Sequence, residues 1–410
     1  MHTTPHNASG FQGTPGRAGE PATLPAVVLH VRVLTGSGGG PEKTILHAPR
    51  HAYPSQVRMV SAFIHPRDDP GIDLIRQKAR VLGCPLHTIG ESGPLDSSTL
   101  RRLHKLCRDL SVQIWHGHDY KSNMLGFLVR CLWPMKLATT VHGWTWDTLR
   151  SHIYYHLDNW CLKRYDRVVV VSPLLLEHCE RLGIGLDRLE YVPNGVDTEA
   201  CVPITDIERR EARRRLKVPL DRPVLGVVGR LSVEKGVDRA LRLVRQLRDH
   251  VPNVQLQVVG DGPHRQSLER LTGELDLEHT VKFCGWREQI RPFLSTMDAL
   301  LLPSHTEGSP NVVLEAMAAA TPVAATDVGN VRELLDGGRC GLLLGQDPAD
   351  WHTPVASLLA DKQRRDALAT NARHRVETHY SFKQRMARVL AIYDQLLDKR
   401  SLTGPMRRAA

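Results

Sequence analysis

Two hydrophobic rhythms alternate along the chain. Short, nearly continuous apolar runs occupy 26–34, 57–63, 112–116, 136–142 and 167–172. Segments with apolar positions every three to four residues separate them at 71–82, 97–110 and 149–164. The short runs suit strands buried on both faces, and the longer segments suit amphipathic helices. Together they predict a parallel sheet covered on both sides. The rhythm breaks over 193–222, which holds Pro193-Asn194-Gly195 and the charged stretch ERREARRRLK (208–217), read as a solvated face. It restarts at 223–229, 254–260, 281–285, 299–304 and 322–326, and a last helical segment covers 382–399.

The expected fold class is therefore α/β, with two Rossmann-like doubly wound parallel sheets facing across a cleft lined by strand carboxyl ends. The expected division is 1–24 as a disordered arm rich in Gly, Pro, Thr and His, 25–196 and 197–378 as the two domains, and 379–410 as a helix and tail crossing back to the first domain. At 410 residues the chain is long for one core. Its net charge of +10 favours an anionic partner. Eight cysteines without a Cys-x-x-Cys pair argue against a disulfide framework or zinc ribbon and for a reducing compartment. No apolar run reaches the length of a membrane span.

Candidate chemistry sits after the strands. In HTEGSPNVVLEAMAAATP (305–322), Glu307 and Glu315 flank a helix start, with Ser309 as the expected cap, Pro310 in the first turn and the helix running to Ala320. Free N–H groups at such a start suit a phosphate, and carboxylates on either side suit neutral diols. A nucleotide-sugar carries a diol at each end of a diphosphate; two solvated glutamates are the plain alternative. Arg230 and Lys235, in VVGRLSVEKGVD (227–238), can clamp a departing diphosphate. Gly260-Asp261-Gly262 is a tight turn at another strand end, weak by itself. The glycines of TGSGGGPEK (35–43) let backbone approach a ligand, but the segment is neither a dinucleotide fingerprint nor a P-loop.

Six segments in this order resemble the retaining nucleotide-sugar glycosyltransferases of the group 1 family (family 4, GT-B fold), with exopolysaccharide-type bacterial members nearest. They are SGGGPEK (37–43), TVHG (140–143), VPNGVD (192–197), GRLSVEKG (229–236), GDGP (260–263) and EGSPNVVLE (307–315). The resemblance covers 25–400. It implies that Arg230 and Lys235 bind the diphosphate, Glu307 the donor sugar and Glu315 the ribose. Backbone at Gly229, Gly260, Asp261, Gly262, Ser309, Pro310, Asn311 and Val312 would border the donor, and Gly39 and Gly40 would close the other side. His142 would lie beside the reacting sugar, and Asn194 would be structural at the junction. Pro41 stands where many members carry a small residue, which leaves donor contacts of Glu42 and Lys43 open.

Further expectations follow. Asp276-Leu277-Glu278 is read as solvated, and His116-Gly117-His118-Asp119 lacks the full metallohydrolase pattern, so neither metal nor cofactor is expected. His118 and Asp119 are candidates for the acceptor side. LRRLHKLCRDL (100–110) is basic and amphipathic: its leucines suit packing on the sheet, and its Arg101, Arg102, Lys105 and Arg108 could attract anionic lipid. The implied acceptor is a glycan, a lipid-linked glycan or a small molecule in cell-surface polysaccharide or glycolipid synthesis. The implied location is cytoplasmic, peripheral on the inner membrane face. A non-catalytic nucleotide-sugar-binding protein is one rival, but all four charged residues of the donor motif are present. A two-domain oxidoreductase would need a dinucleotide fingerprint that is missing. Nucleic acid is not an expected partner, because no basic stripe interleaves with aromatics, which make up only 5% of the chain.

Overall fold

The computed structural model describes residues 25–397, leaving out 35–38, 53–56, 94–95, 144–148 and 252; for 149–153 only the helix path is described. The N-terminal arm (1–24) and the 400–410 tail of the sequence reading lie outside the described residues.

The first sheet has seven strands: β1 (Ala26–Val33), β2 (Val57–Pro66), β3 (Leu86–Glu91), β4 (Val112–Gly117), β5 (Lys136–Val141), β6 (Arg167–Val170) and β7 (Leu189–Tyr191). All pair in parallel, in the order β3-β2-β1-β4-β5-β6-β7. The second has six: β8 (Val224–Val228), β9 (Gln255–Val259), β10 (Val281–Gly285), β11 (Ala299–Leu302), β12 (Val323–Thr326) and β13 (Leu342–Leu344), again parallel, in the order β10-β9-β8-β11-β12-β13. In each sheet the strand order reverses beside the first strand, which leaves a crevice at the carboxyl ends.

Burial explains why these runs are strands. On β1, Val27, Leu29 and Val31 join the core under helices Ser97–Leu110, Tyr120–Arg130 and Pro173–Arg181. Val28 faces the opposite core, which contains helix Phe382–Leu397 through Phe382, Met386, Val389 and Tyr393. Both faces are covered, so the runs read as continuous rather than alternating. The strands absent from the sequence reading, β3, β7 and β13, are all at sheet edges. LHTIGE buries only Ile89, and the other two are three residues long, so neither leaves a hydrophobic run.

The proposed junction at 196–197 is tied to the returning segment. The Val196 N–H donates to Tyr380 O (3.0 Å), the Phe382 N–H donates to Val196 O (2.8 Å), and buried Arg385 donates to Val192 O and Pro193 O (3.0 and 2.8 Å).

One charged stretch departs from expectation. ERREARRRLK lies mainly on helix Asp206–Arg215, and its Arg213 is buried rather than solvated. The guanidinium donates to the carbonyls of Thr296, Pro219, Leu220 and Arg222 and to Asp298 Oδ2 (2.8 Å), which also accepts the Val224 N–H at the start of β8. A planar five-donor group can satisfy several loop carbonyls at once, so here an arginine acts as a core anchor.

Candidate active site

A cleft of about 1270 Å³ lies between the sheets. From the first domain it is lined by Gly39, Gly40, Glu42, Lys43 and His142, and at the junction by Asn194. From the second it is lined by Gly229, Arg230, Lys235, the 260–263 turn, and Glu307 through Val312 with Glu315. Every donor-side residue singled out in the sequence therefore reaches one cavity.

The helix at its floor runs Asn311–Ala318, shorter than expected, and Ala320 turns left-handed (φ +56°) beyond it. Its cap differs too. Pro310 occupies the N-cap, and buried Ser309 makes no capping bond: its carbonyl accepts from Asn194 Nδ2 (2.9 Å) and its Oγ has no partner. The N–H groups of Asn311 and Val312 come too early in the helix for an intrahelical acceptor. Asn311 Oδ1 is buried and also unpartnered. Unpaired polar atoms and the positive helix end thus meet at the cleft floor.

Arg230 is exposed and has no ion pair among the described residues. Lys235, on a short turn at Val233–Lys235, grips both oxygens of Glu307 (2.8 and 2.9 Å), and Ser304 Oγ donates to the same carboxylate (2.7 Å). The loop bearing Arg230 packs backbone to backbone on the Gly-Asp-Gly turn: the Leu231 N–H donates to Asp261 O (3.0 Å). Gly260 sits at φ +146°, and a Cβ there would lie 1.8 Å from Gly229 O. Only glycine allows both that conformation and that approach.

The two domains touch through the motifs. Lys43 Nζ meets Glu315 Oε1 at 2.9 Å. Lys78 meets Glu288 at 3.4 Å and stands 5.6 Å over the Trp286 ring. A Cβ on Gly308 would come 2.3 Å from His142 O, and one on Gly40 would come 2.7 Å from Asn311 Nδ2. Glu42 faces inward, bound to Arg32 and to the Gly39 N–H. Burial alone would raise its carboxyl, but the Arg32 guanidinium and that N–H hold it below the usual range.

The acceptor-side candidates are placed otherwise than expected. Neither His118 nor Asp119 lines the cleft. Asp119 caps helix Tyr120–Arg130, its oxygens accepting the N–H groups of Ser122 and Val33 (both 2.8 Å). His118 is buried behind His142 at 3.3 Å, in a stack with His30 and His116. The three buried imidazoles offer nitrogens within 4.8 Å of one another. Yet His116 and His118 stack at an interplanar angle of 4°, so their lone pairs run side by side instead of converging on one ion.

The sequence reading missed Arg32, Lys78, Trp286, Arg287 and Glu288, all on the cleft lining. None has a local signal; each arrives by folding.

A family model described as "Glycosyl transferases group 1" matches residues 208–375, and one described as "Glycosyl transferase 4-like domain" matches residues 23–195. A D-inositol 3-phosphate glycosyltransferase of Corynebacterium jeikeium is 29% identical over 293 residues, 65% of this chain and 69% of that protein. One from Xylanimonas cellulosilytica is 29% identical over 70% of this chain and 72% of its own. Among solved structures, Anabaena Alr3699/HepE in complex with UDP and glucose superposes with a TM-score of 0.76 at 18% identity, over 90% of this chain and 99% of its own. Sucrose-phosphate synthase from Thermosynechococcus elongatus gives 0.74 at 21% identity, over 90% and 99%.

Proposed function

Because the chain belongs to the group 1 glycosyltransferases and has their GT-B fold, we propose that it moves a sugar from a nucleotide-sugar to a hydroxyl acceptor, retaining the anomeric configuration and using no metal. The observation that carries this reading is convergence. Unpaired N–H groups at the start of Asn311–Ala318, Arg230 and Lys235 share one cavity, with Glu307 and Glu315 on either side of the helix start. In this reading the diphosphate lies over the helix end, Glu315 takes the ribose hydroxyls and Glu307 the sugar hydroxyls.

Bond cleavage places negative charge on the diphosphate, which the two cations and the helix end stabilise. The positive charge growing at the anomeric carbon is met by the departing phosphate oxygen on the same face, and that oxygen also takes the acceptor's proton. Glu307 suits an orienting role better than a nucleophilic one, because Lys235 and Ser304 already hold its oxygens. Uridine is the first base to test, given the UDP bound in the Anabaena structure. Phosphorylated polyols are the first small acceptors to test, given the names of the corynebacterial relatives; glycan and lipid-linked acceptors follow. Transfer and hydrolysis assayed over a panel of nucleotide-sugars test the whole reading: no turnover with any donor would leave only a binding protein.

Metal independence rests on the donor set. Each carboxylate on the described lining already has a cation: Glu42 has Arg32, Asp261 has Arg265, Glu288 has Lys78, Glu307 has Lys235 and Glu315 has Lys43. Activity is therefore expected to survive EDTA largely intact. Loss with EDTA and recovery with manganese or magnesium would reverse the assignment.

No helix among the described residues is long and apolar enough to cross a membrane. Peripheral contact remains part of the proposal. Helix Ser97–Leu110 buries Leu103 and Cys107 and leaves Arg101, Lys105 and Arg108 exposed. Sedimentation with vesicles should detect binding when anionic lipid is present. Reversing those three charges should abolish it, and unchanged sedimentation of that variant would remove the helix from the proposal.

A further inference from the structure

Behind His142 runs a buried, unbranched file of hydrogen bonds. Thr140 Oγ1 meets His116 Nε2 (2.8 Å), and His116 Nδ1 meets Tyr393 Oη (2.5 Å). The same Oη meets His30 Nε2 (3.3 Å), His30 Nδ1 meets His118 Nε2 (2.9 Å), and His118 Nδ1 meets His142 Nε2 (3.3 Å). The file crosses the first sheet from β4 and β1 to β5. Its middle group belongs to helix Phe382–Leu397, at the far end of the sequence.

Charge fixes what such a file can do. Burial, first, holds the imidazoles toward the neutral form, helped by Arg385 at His30, by the neighbouring imidazoles ahead of the guanidiniums at His116 and His118, and by Arg32 and Arg385 at His142: His30 is lowered to about 3, and His116, His118 and His142 fall well below the ordinary value. A neutral imidazole has one N–H and one lone pair, and a phenol donates once. Five links between such groups need one proton each, so all point the same way unless the Tyr393 oxygen accepts from both His116 and His30. If the file runs away from the cleft, His142 donates from Nε2 and its Nδ1 is an acceptor. If it runs toward the cleft, Nδ1 carries the proton. No other described residue bonds Nδ1. That double acceptance would leave the Tyr393 O–H without an acceptor among the described residues, at the cost of an unsatisfied polar group in a buried setting.

We propose that Tyr393 is a positioning residue for sugar transfer: through His30 and His118 its hydroxyl holds His142, on the cleft wall, in one tautomer and one ring orientation. The C-terminal helix thereby acts on the reaction without touching substrate. The consequence for turnover rests on the sugar-transfer reading above; the tautomer itself does not.

Tyr393→Phe keeps the ring and its packing and deletes the atom shared by two links. The expected result is a loss of kcat of about five- to tenfold, the scale of one net hydrogen bond, with the donor KM within twofold. In ¹⁵N-histidine spectra of the full chain, the His142 ring nitrogens should move from single-tautomer values toward the average of two. Tyr191→Phe is the control, since it removes a half-buried phenol bonded to Asn330 and Glu333 outside the file and should leave the His142 signals in place. Should Tyr393→Phe fail to fold, Thr140→Val opens the same file at its end and should give the same spectral change. Unchanged His142 nitrogens in the folded variant would overturn the proposal, whatever the activity. Shifted nitrogens in a protein that transfers no sugar would keep the proposal for the tautomer and overturn the transfer reading instead.

Discussion

Arg230→Ala and Lys235→Ala are each expected to lower turnover by roughly 10²–10³-fold, the cost of removing one preorganised group from developing charge. Bond breaking leaves the diphosphate more negative than it was in the bound donor, so the loss should fall on kcat at saturating donor rather than on binding alone. The two variants should differ in a second measurement. Arg230 is exposed and unpaired among the described residues, so its removal should leave the melting temperature in place.

Lys235 neutralises Glu307, whose side chain is 8% exposed. Truncating the lysine leaves that carboxylate facing the diphosphate with only Ser304 beside it. Lys235→Ala should therefore also bind nucleoside diphosphate more weakly, and adding Glu307→Ala should restore much of that affinity while turnover stays low. Such rescue is the mark of an uncompensated charge. Turnover near the wild-type value in both single variants, at confirmed donor saturation, would sink the clamp.

Much of this cavity is written locally in the chain. Gly229, Arg230 and Lys235 follow β8, Gly260 follows β9, and the segment from Glu307 to Glu315 follows β11. A buried strand followed at once by glycines and cations is a recognisable contradiction of packing, and it exposes the donor side. The remainder is long-range. Lys43 and Glu315 are 272 residues apart, and the file behind His142 joins positions 30, 116, 118, 140 and 393. No local periodicity encodes such pairs. The same holds for Arg213, whose adjacent Arg214 and Arg215 are exposed: the loops that close around it come from 219–222 and 296–298. Ser309 shows the opposite failure, a strong local capping signal overridden when Asn194 takes its carbonyl and Pro310 takes the cap.

The two glutamates should part company in binding. Glu315→Ala is expected to weaken the bare nucleoside diphosphate by about 1.5–3 kcal/mol, the range for a hydrogen bond to a charged group, because its assigned partner is the ribose. Its present partner, Lys43, is half exposed, so displacing that pair should cost the ligand little. Glu307→Ala should leave affinity for the bare diphosphate intact or raise it, since Lys235 is then released toward the phosphates. The same variant should lose about 1.5–3 kcal/mol for the intact nucleotide-sugar, whose sugar hydroxyls lose their acceptor. The asymmetry comes from position: one carboxylate lies on the loop before the helix start and the other inside the helix, four residues past its first. Calorimetry with both ligands, using the base that the donor panel selects, reads all four values. Equal losses for the bare diphosphate in the two variants would mean that the carboxylates do not read opposite ends of the donor, and the orientation proposed for it would have to be abandoned.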